Sequence, residues 1–116
     1  MMLFGWYYNH SCAPNCALVD GNIVAKRNVA VGEEVTYDYG LTETSIGWSF
    51  WCLCGQPECR RHICNQDYLN ADLRIRKKDY VSAHAEIAAA QADQILVVKY
   101  YVRCWLYLVN LTLLGE

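Results

Sequence analysis

Seven cysteines in a chain of 116 residues are the side chains with the most obvious chemistry. Three of them lie close together, as Cys52-x-Cys54 followed by Cys59. Thiolates at such short spacing are typical ligands of structural zinc, which takes four sulfur or nitrogen ligands in a tetrahedron. Gly55 and Pro57 permit a tight turn between them. The fourth ligand must come from elsewhere in the chain, and the residues that could supply it are Cys12, Cys16, Cys64 and His62.

The cysteines favour metal binding over disulfides. An odd number cannot pair fully within one chain. Residues 1–8 lack the basic start, long apolar stretch and cleavage site of a signal peptide, so we expect an intracellular protein, cytoplasmic or, in a eukaryotic host, nuclear. A thiol redox protein is a weaker alternative, because no Cys-x-x-Cys occurs. We expect Cys16 and Cys64 to be core or free thiols, and Cys104 to pack in an apolar tail.

Two further blocks occur before the cysteine cluster. They read Asn9-His10-Ser11-Cys12-Ala13-Pro14-Asn15-Cys16 and Gly32-Glu33-Glu34-Val35-Thr36-Tyr37-Asp38-Tyr39. With the cysteine cluster and Arg60 after them, in this order, the blocks resemble the C-terminal half of a SET-domain protein lysine methyltransferase followed by a post-SET zinc motif. Residues 61–89 weakly resemble the tail of short SET proteins of the microbial type.

The resemblance implies a metal site and a catalytic pair. The cysteine of the Asn-His-x-Cys motif completes the post-SET zinc site in the family. One structural zinc ion would therefore be held by Cys12, Cys52, Cys54 and Cys59. The second aromatic of the Tyr-Asp-Tyr motif, here Tyr39, would be catalytic. Tyr37 would occupy the product-specificity position, where tyrosine favours mono- or dimethylation of a lysine in a protein or peptide substrate.

The resemblance also implies S-adenosylmethionine as cofactor. Asn9 and His10 match its contacts, and Trp51 is placed to cover the adenine. Taken from the residues alone, a histidine such as His10 is more often structural, and Trp51 is at least as readily an ordinary core tryptophan. Glu34 and Asp38 are either orienting groups for the backbone and tyrosine hydroxyls or solvated carboxylates.

The first half of the family pattern has no counterpart in this sequence. No Gly-x-Gly cofactor loop occurs, and Tyr7-Tyr8 replaces the family's Arg-Phe before the Asn-His motif. The sequence is thus expected to be a fragment, to be completed by a partner chain or self-association, or to be a degenerate remnant. The alternative function is a non-catalytic, zinc-stabilised interaction module derived from the SET fold.

The resemblance implies an α+β fold with a small β-rich SET portion of the β-clip type. Residues 1–51 would form the C-terminal part of the SET domain with a pseudoknot-type crossing, residues 52–64 the post-SET zinc motif, and residues 65–116 a helical tail. A hairpin is predicted around Asp20-Gly21, and the period-2 alternation from Val35 to Tyr39 predicts a strand. Residues 40–51 are predicted to form a loop, and residues 52–64 no regular element.

The tail from residue 95 to residue 114 is apolar except for Lys99, Arg103 and Asn110, which predicts an amphipathic helix. We expect this helix to pack on the sheet or on another chain; a membrane span is disfavoured because the two cations lie centrally. The net charge of −2 gives no indication of a nucleic-acid-binding surface, and the small basic clusters, Arg60-Arg61 among them, are expected to be solvated.

Overall fold

The strands of this fold are short and pair in twos. The computed structural model describes residues 8–114, and six strands within that range form three two-stranded sheets. They are β1 (Asn9–His10), β2 (Cys16–Val19), β3 (Asn22–Ala25), β4 (Thr36–Tyr37), β5 (Ser49–Trp51) and β6 (His62–Cys64). The helices are α1 (Ala71–Arg76) and α2 (Ala83–Leu114), with 3-10 turns at Tyr39–Leu41, Asp67–Leu69 and Lys78–Tyr80. The α+β class is therefore confirmed.

The predicted hairpin is the antiparallel pair β2–β3. Asp20 and Gly21 connect the strands with φ values of 48° and 78°. Two consecutive residues with positive φ form the turn whose twist matches that of a tight hairpin, and Asp-Gly is one of the pairs that adopt it readily. The hairpin prediction is confirmed.

A parallel pairing of β1 with β4 brings the two sequence blocks together. Asn9 lies opposite Thr36, and His10 lies opposite Tyr37. The side chain of Asn15 joins the same two segments from within the core: its Nδ2 donates to the carbonyl oxygen of Glu34 at 2.8 Å, and its Oδ1 accepts from the Thr36 amide at 2.9 Å. The Asn-His and Tyr-Asp-Tyr motifs are thereby fixed side by side.

The prediction of a strand from Val35 to Tyr39 is wrong in its length. Strand β4 ends at Tyr37, and Asp38 starts a 3-10 turn by accepting the Gly40 amide on its Oδ1 at 3.0 Å. An aspartate that bonds the backbone two residues ahead offers the chain an alternative to the sheet ladder. Tyr39 therefore belongs to a turn.

The predictions for residues 40–51 and 52–64 are wrong at one end of each range. Ser49–Trp51 and His62–Cys64 form the antiparallel strands β5 and β6, with Phe50 opposite Ile63. Ile63 is fully buried and packs with Cys12 and Cys52. The cysteine-containing loop separates the two strands in the sequence. Their pairing depends on how this loop folds, and so local periodicity does not reveal it.

The start of α2 packs on the 3-10 turn Asp67–Leu69, and the residue before the helix is bonded to the turn Tyr39–Leu41. Ser82 caps the helix by accepting the Ala85 amide on its Oγ at 3.3 Å, and its own amide donates to the carbonyl oxygen of Leu41 at 3.1 Å. Ala85 and Ala89 are buried one turn apart, and their small side chains let the helix backbone approach closely. This contact holds the helix against the turn that follows Tyr39.

The remainder of α2 does not pack on the sheet, and that prediction is wrong for the described residues. The helix continues without a break from Ala83 to Leu114, because no Gly or Pro interrupts it. Large apolar side chains are exposed on all its sides, among them Val98, Tyr101 and Trp105, so the tail is not amphipathic in the expected sense. Packing on another chain stays a prediction. Within residues 8–114, no helix has the length and apolar character needed to cross a bilayer.

Asn15→Ala should lower the free energy of unfolding by about 2 kcal/mol, because it leaves the part-buried carbonyl of Glu34 and amide of Thr36 without their partner. Urea denaturation measures this. Asn22→Ala is the matched control, since the exposed Asn22 side chain donates to the carbonyl oxygen of Asp20 within its own turn. Its effect should stay within about 0.5 kcal/mol. Equal losses in the two variants would contradict a special role for Asn15.

Candidate active site and metal centre

Four cysteine sulfurs meet at the centre of the core. The Sγ atoms of Cys12, Cys52, Cys54 and Cys59 all lie within 4.8 Å of one another. Cys12 follows β1 and Cys52 follows β5, and both are buried; Cys54 and Cys59 belong to the loop before β6 and are half-buried. The residues named from the sequence as a metal set are thus neighbours in space.

The geometry of this cluster fits a tetrahedral metal. A Zn–S bond of about 2.3 Å implies sulfur–sulfur edges of roughly 3.8 Å in a tetrahedron. The Cys12 and Cys52 sulfurs are 3.9 Å apart. The Arg60 amide also donates to the Cys12 sulfur at 3.4 Å, and the His10 ring nitrogen Nε2 lies 3.4 Å from it. Such outer hydrogen bonds orient ligands and stabilise thiolates.

The other residues considered as a fourth ligand lie outside the cluster. Cys16 is buried in β2, and the Cys64 sulfur lies 3.4 Å from Asp67 Oδ1. His62 lies against Trp51, with 5.1 Å between ring centroids.

Burial acts unequally on the metal-free thiols. It raises the pKa of Cys12 and Cys52 above the ordinary value of a thiol. Burial opposes ionisation at Cys54 as well, but hydrogen bonds to the backbone of Cys12 and Gln56 outweigh it and lower the pKa of Cys54 to about 7. Cys54 is therefore the most readily ionised of these three thiols near neutral pH.

An aromatic cluster adjoins the cysteines. The rings of Tyr37 and Tyr39 are 4.8 Å apart, and the ring of Tyr39 lies 5.4 Å from that of His10 and 5.9 Å from that of Phe50. Tyr37 is buried, and the Tyr39 hydroxyl donates to the backbone carbonyl of Tyr8. Burial, reinforced by the Glu43 carboxylate, raises the pKa of both phenols. Both are therefore neutral hydrogen-bond donors at neutral pH.

Asp38, between the two tyrosines, is fully buried and paired with Arg60. The guanidinium donates from Nη1 to Asp38 Oδ2 at 2.7 Å and from Nη2 to Asp38 Oδ1 at 2.8 Å. Arg60 Nη2 also bonds Asp67 Oδ2 at 3.1 Å. The interpretation of these groups as solvated is wrong for both Asp38 and Arg60. The sequence held one signal for this ion pair: an arginine directly after the last cysteine of the cluster, and an aspartate between two tyrosines.

Lys77 is a further residue at the site that the sequence analysis did not identify. Its Nζ donates to the carbonyl oxygen of Cys12 at 2.6 Å and pairs with Glu58 inside the cysteine-containing loop. Lysine-rich segments are common on exposed helix ends, so nothing local distinguishes Lys77 from its neighbour Lys78.

The three residues assigned to cofactor binding have different surroundings. The His10 side chain is buried: Nδ1 accepts the Tyr39 amide at 3.2 Å, which leaves Nε2 to carry the proton toward the Cys12 sulfur. Burial lowers the pKa of His10 despite the nearby Asp38, so the ring is neutral. Asn9 is exposed and donates to Glu34. Trp51 is 75% exposed and lies on His62, not on the tyrosine pair.

The comparisons with known proteins agree with this arrangement. Residues 3–40 match the SET domain family model. This segment of the chain is therefore similar to a SET domain. The resemblance to SET-domain protein lysine methyltransferases is thereby confirmed. No solved structure gives a significant match.

The relatives are named as histone-lysine methyltransferases. A probable histone-lysine N-methyltransferase, set-23, of Caenorhabditis briggsae is 37% identical over 51% of this chain and 28% of its own length. An H3 lysine-4 specific enzyme of Schizosaccharomyces pombe is 43% identical over 49% of this chain and 7% of its own. An H3 lysine-36 specific enzyme of Mycosarcoma maydis is 38% identical over 47% of this chain and 6% of its own length. The chain therefore spans 28% or less of these relatives' length.

Zinc affinity should rise steeply with pH, because the metal displaces protons from thiols whose pKa burial has raised. Each proton displaced from a thiol raises the zinc affinity up to about tenfold per pH unit. Cys54 contributes less above pH 7, because its pKa of about 7 means that it is already ionised there. Competition with a chromophoric chelator between pH 6 and pH 8 measures this. Cys52→Ser should abolish tight binding, whereas Cys104→Ser on α2 should not change it. A flat pH profile would contradict thiolate ligation.

Proposed function

We propose that the chain is the C-terminal portion of an S-adenosylmethionine-dependent protein-lysine N-methyltransferase of the SET type. The single observation that carries the proposal is the packing of the Tyr37–Tyr39 pair beside a cluster of four cysteine sulfurs. The SET-domain match of residues 3–40 supports it independently. Residues 1–51 would be the SET part, residues 52–64 the post-SET part and residues 65–116 a helical tail.

The cysteine set would hold one structural zinc ion. Four sulfur ligands leave no open position, so the ion would supply no Lewis-acid chemistry to a substrate. It would close the loop from Cys52 to Cys59 onto Cys12. A pseudoknot-type crossing of the Asn-His motif with the segment before β4 is part of the proposal; the parallel pairing of β1 with β4 supports it.

The tyrosine pair would bind and desolvate the lysine of the substrate. Aromatic walls lower the pKa of an amine by disfavouring its charged form, so they favour the neutral nucleophile. Because the phenol pKa of Tyr39 is raised, Tyr39 would act as a hydrogen-bonding and orienting group and not as the base. The proton of the lysine would leave to solvent. Tyr37 beside it would restrict the space for a methylated amine, which favours mono- or dimethylation.

The cofactor would supply a sulfonium methyl group for in-line displacement by the amine. Asn9, with its exposed amide, is suited to a polar contact with it, and His10 could contribute only backbone groups because its ring is used internally. Trp51 offers a large exposed ring on the hairpin that carries Cys52, which supports its proposed role as a cover for the adenine.

The substrate would be a lysine in a protein, and histone H3 is the first to test because the relatives' names include H3 lysine-4 and H3 lysine-36. These names differ in the lysine, so they do not select one. An intracellular, nuclear location would follow for a histone substrate in a eukaryotic host. A partner chain or self-association would complete the cofactor cleft.

The alternative function is a non-catalytic, zinc-stabilised interaction module. One observation favours it: apolar side chains along α2 stay exposed, including Trp105 at 63% and Tyr101 at 67%. Exposed apolar surface of this extent is typical of an interaction surface.

Calorimetric titration of S-adenosylmethionine into the zinc-loaded chain tests the proposal first. Binding heat that Asn9→Ala abolishes would support a competent half-site. No heat from a folded chain that holds one zinc ion would contradict a stand-alone enzyme and favour the interaction module.

Tyr39→Phe should lower methyl transfer to H3 about 100-fold or more, because it removes a hydrogen-bond donor from the reacting centre. Incorporation of a radiolabelled methyl group measures this. Tyr101→Phe on α2 is the matched control, since it removes the same hydroxyl from an exposed position and should leave the rate unchanged. Equal rates in the two variants would contradict the role of Tyr39.

A further inference from the structure

Arg60 contacts both the cysteine cluster and the tyrosine segment. Its backbone amide donates to the Cys12 sulfur at 3.4 Å, and it directly follows Cys59 in the chain. Its side chain forms two hydrogen bonds with Asp38, at 2.7 and 2.8 Å. The backbone of Arg60 therefore belongs to the metal loop, while its guanidinium belongs to the Tyr37-Asp38-Tyr39 segment.

The surroundings leave the guanidinium little freedom. Asp38 is fully buried and the Arg60 side chain is 18% exposed, so the ion pair has little access to water. A Cβ atom added at Gly40 would lie 2.8 Å from Arg60 Nη2 and 2.7 Å from Asp67 Oδ2. The guanidinium thus lies directly against the backbone that follows Tyr39. A forked donor held in this way fixes the carboxylate in position and in orientation.

We propose that Arg60 is a positioning residue that transmits metal occupancy of the cysteine cluster to the two tyrosines. This inference rests on the proposed function, because it concerns the same tyrosine pair. A metal ion bound to Cys59 and Cys12 holds the Arg60 backbone, and the guanidinium in turn holds Asp38. Asp38 lies between Tyr37 and Tyr39, so a displacement of its carboxylate reorients both rings. Arg60 itself does not touch the lysine.

A second link runs in parallel and limits the size of the effect. The His10 ring lies 3.4 Å from the Cys12 sulfur through Nε2 and accepts the Tyr39 amide on Nδ1. That link reaches Tyr39 through its amide and through its ring, with 5.4 Å between ring centroids. The His10 Nδ1 is 3.7 Å from Asp38 Oδ1, which is longer than a hydrogen bond. Loss of Arg60 should therefore weaken the coupling at both tyrosines and affect Tyr37 most.

The test uses the full chain labelled with 3-fluorotyrosine and loaded with zinc. Tyr37→Phe and Tyr39→Phe assign their two signals among the nine tyrosines. In the unaltered chain, removal of zinc by a chelator should shift both signals. In Arg60→Gln, both signals should already be displaced with zinc bound, and the chelator should shift them less. Zinc stoichiometry should stay at one, because no ligand is removed.

Two variants make the result specific. Arg60→Lys keeps the charge but not the fork, so it should restore the signals only in part; it also replaces Arg60→Gln if that variant does not fold. Arg61→Gln removes the same charge from an exposed neighbour and should match the unaltered chain. Signals of zinc-loaded Arg60→Gln that coincide with those of the unaltered chain would overturn the proposal, as would an equal response of both chains to the chelator.

The readout separates this inference from the proposed function. The expected fluorine pattern without any methyl transfer would contradict the enzyme and leave the coupling intact. Where transfer occurs, Arg60→Gln should lower kcat/KM for the peptide, because the two tyrosines that orient the lysine are displaced. A chain that takes up no zinc would overturn the coupling whatever its activity.

Discussion

The sulfur of Cys12 lies where the parts of this fold meet, and most of what orders the site depends on it. It lies 3.9 Å from the Cys52 sulfur, accepts the Arg60 amide and lies beside the His10 ring, while Lys77 holds the carbonyl oxygen of the same residue. The apolar core around it is small, with Cys12, Cys52 and Ile63 as its buried members. A cluster with so few buried apolar groups supplies little stability by itself, and metal ligation is a common additional constraint in small domains.

Buried polar contacts join segments that the small apolar core does not hold together. Asn15 joins β2 to the segment before β4, and the Asp38–Arg60 pair joins that segment to the cysteine loop. A buried ion pair adds little net stability, but removal of one partner leaves an uncompensated charge. Such contacts therefore specify one arrangement of the chain more than they strengthen it, and the arrangement they specify is the one that keeps Tyr37 and Tyr39 together.

The helix α2 serves the site only through its first turns. Ser82 is bonded to Leu41 in the turn Tyr39–Leu41, and the buried Ala85 and Ala89 lie in the part of α2 that is packed. Beyond them the helix extends away, which accounts for the long dimension of 76 Å against 28 and 24 Å. Exposed apolar surface of this extent is typical of an interaction surface.

The sequence by itself determined which residues are candidates for the site. The cysteine spacing, the Asn-His block and the Tyr-Asp-Tyr block are each short motifs that can be identified without the structure. It also determined the β2–β3 hairpin, because Asp20-Gly21 encodes its turn locally. The end of β4, the β5–β6 pairing and the burial of Asp38 with Arg60 were decided only by tertiary structure. Each of these features depends on residues that are distant in the chain. A charged residue is predicted to be solvated unless its counter-ion is known to be buried beside it. The same holds for α2, whose apolar residues predict burial whether or not a covering surface is present.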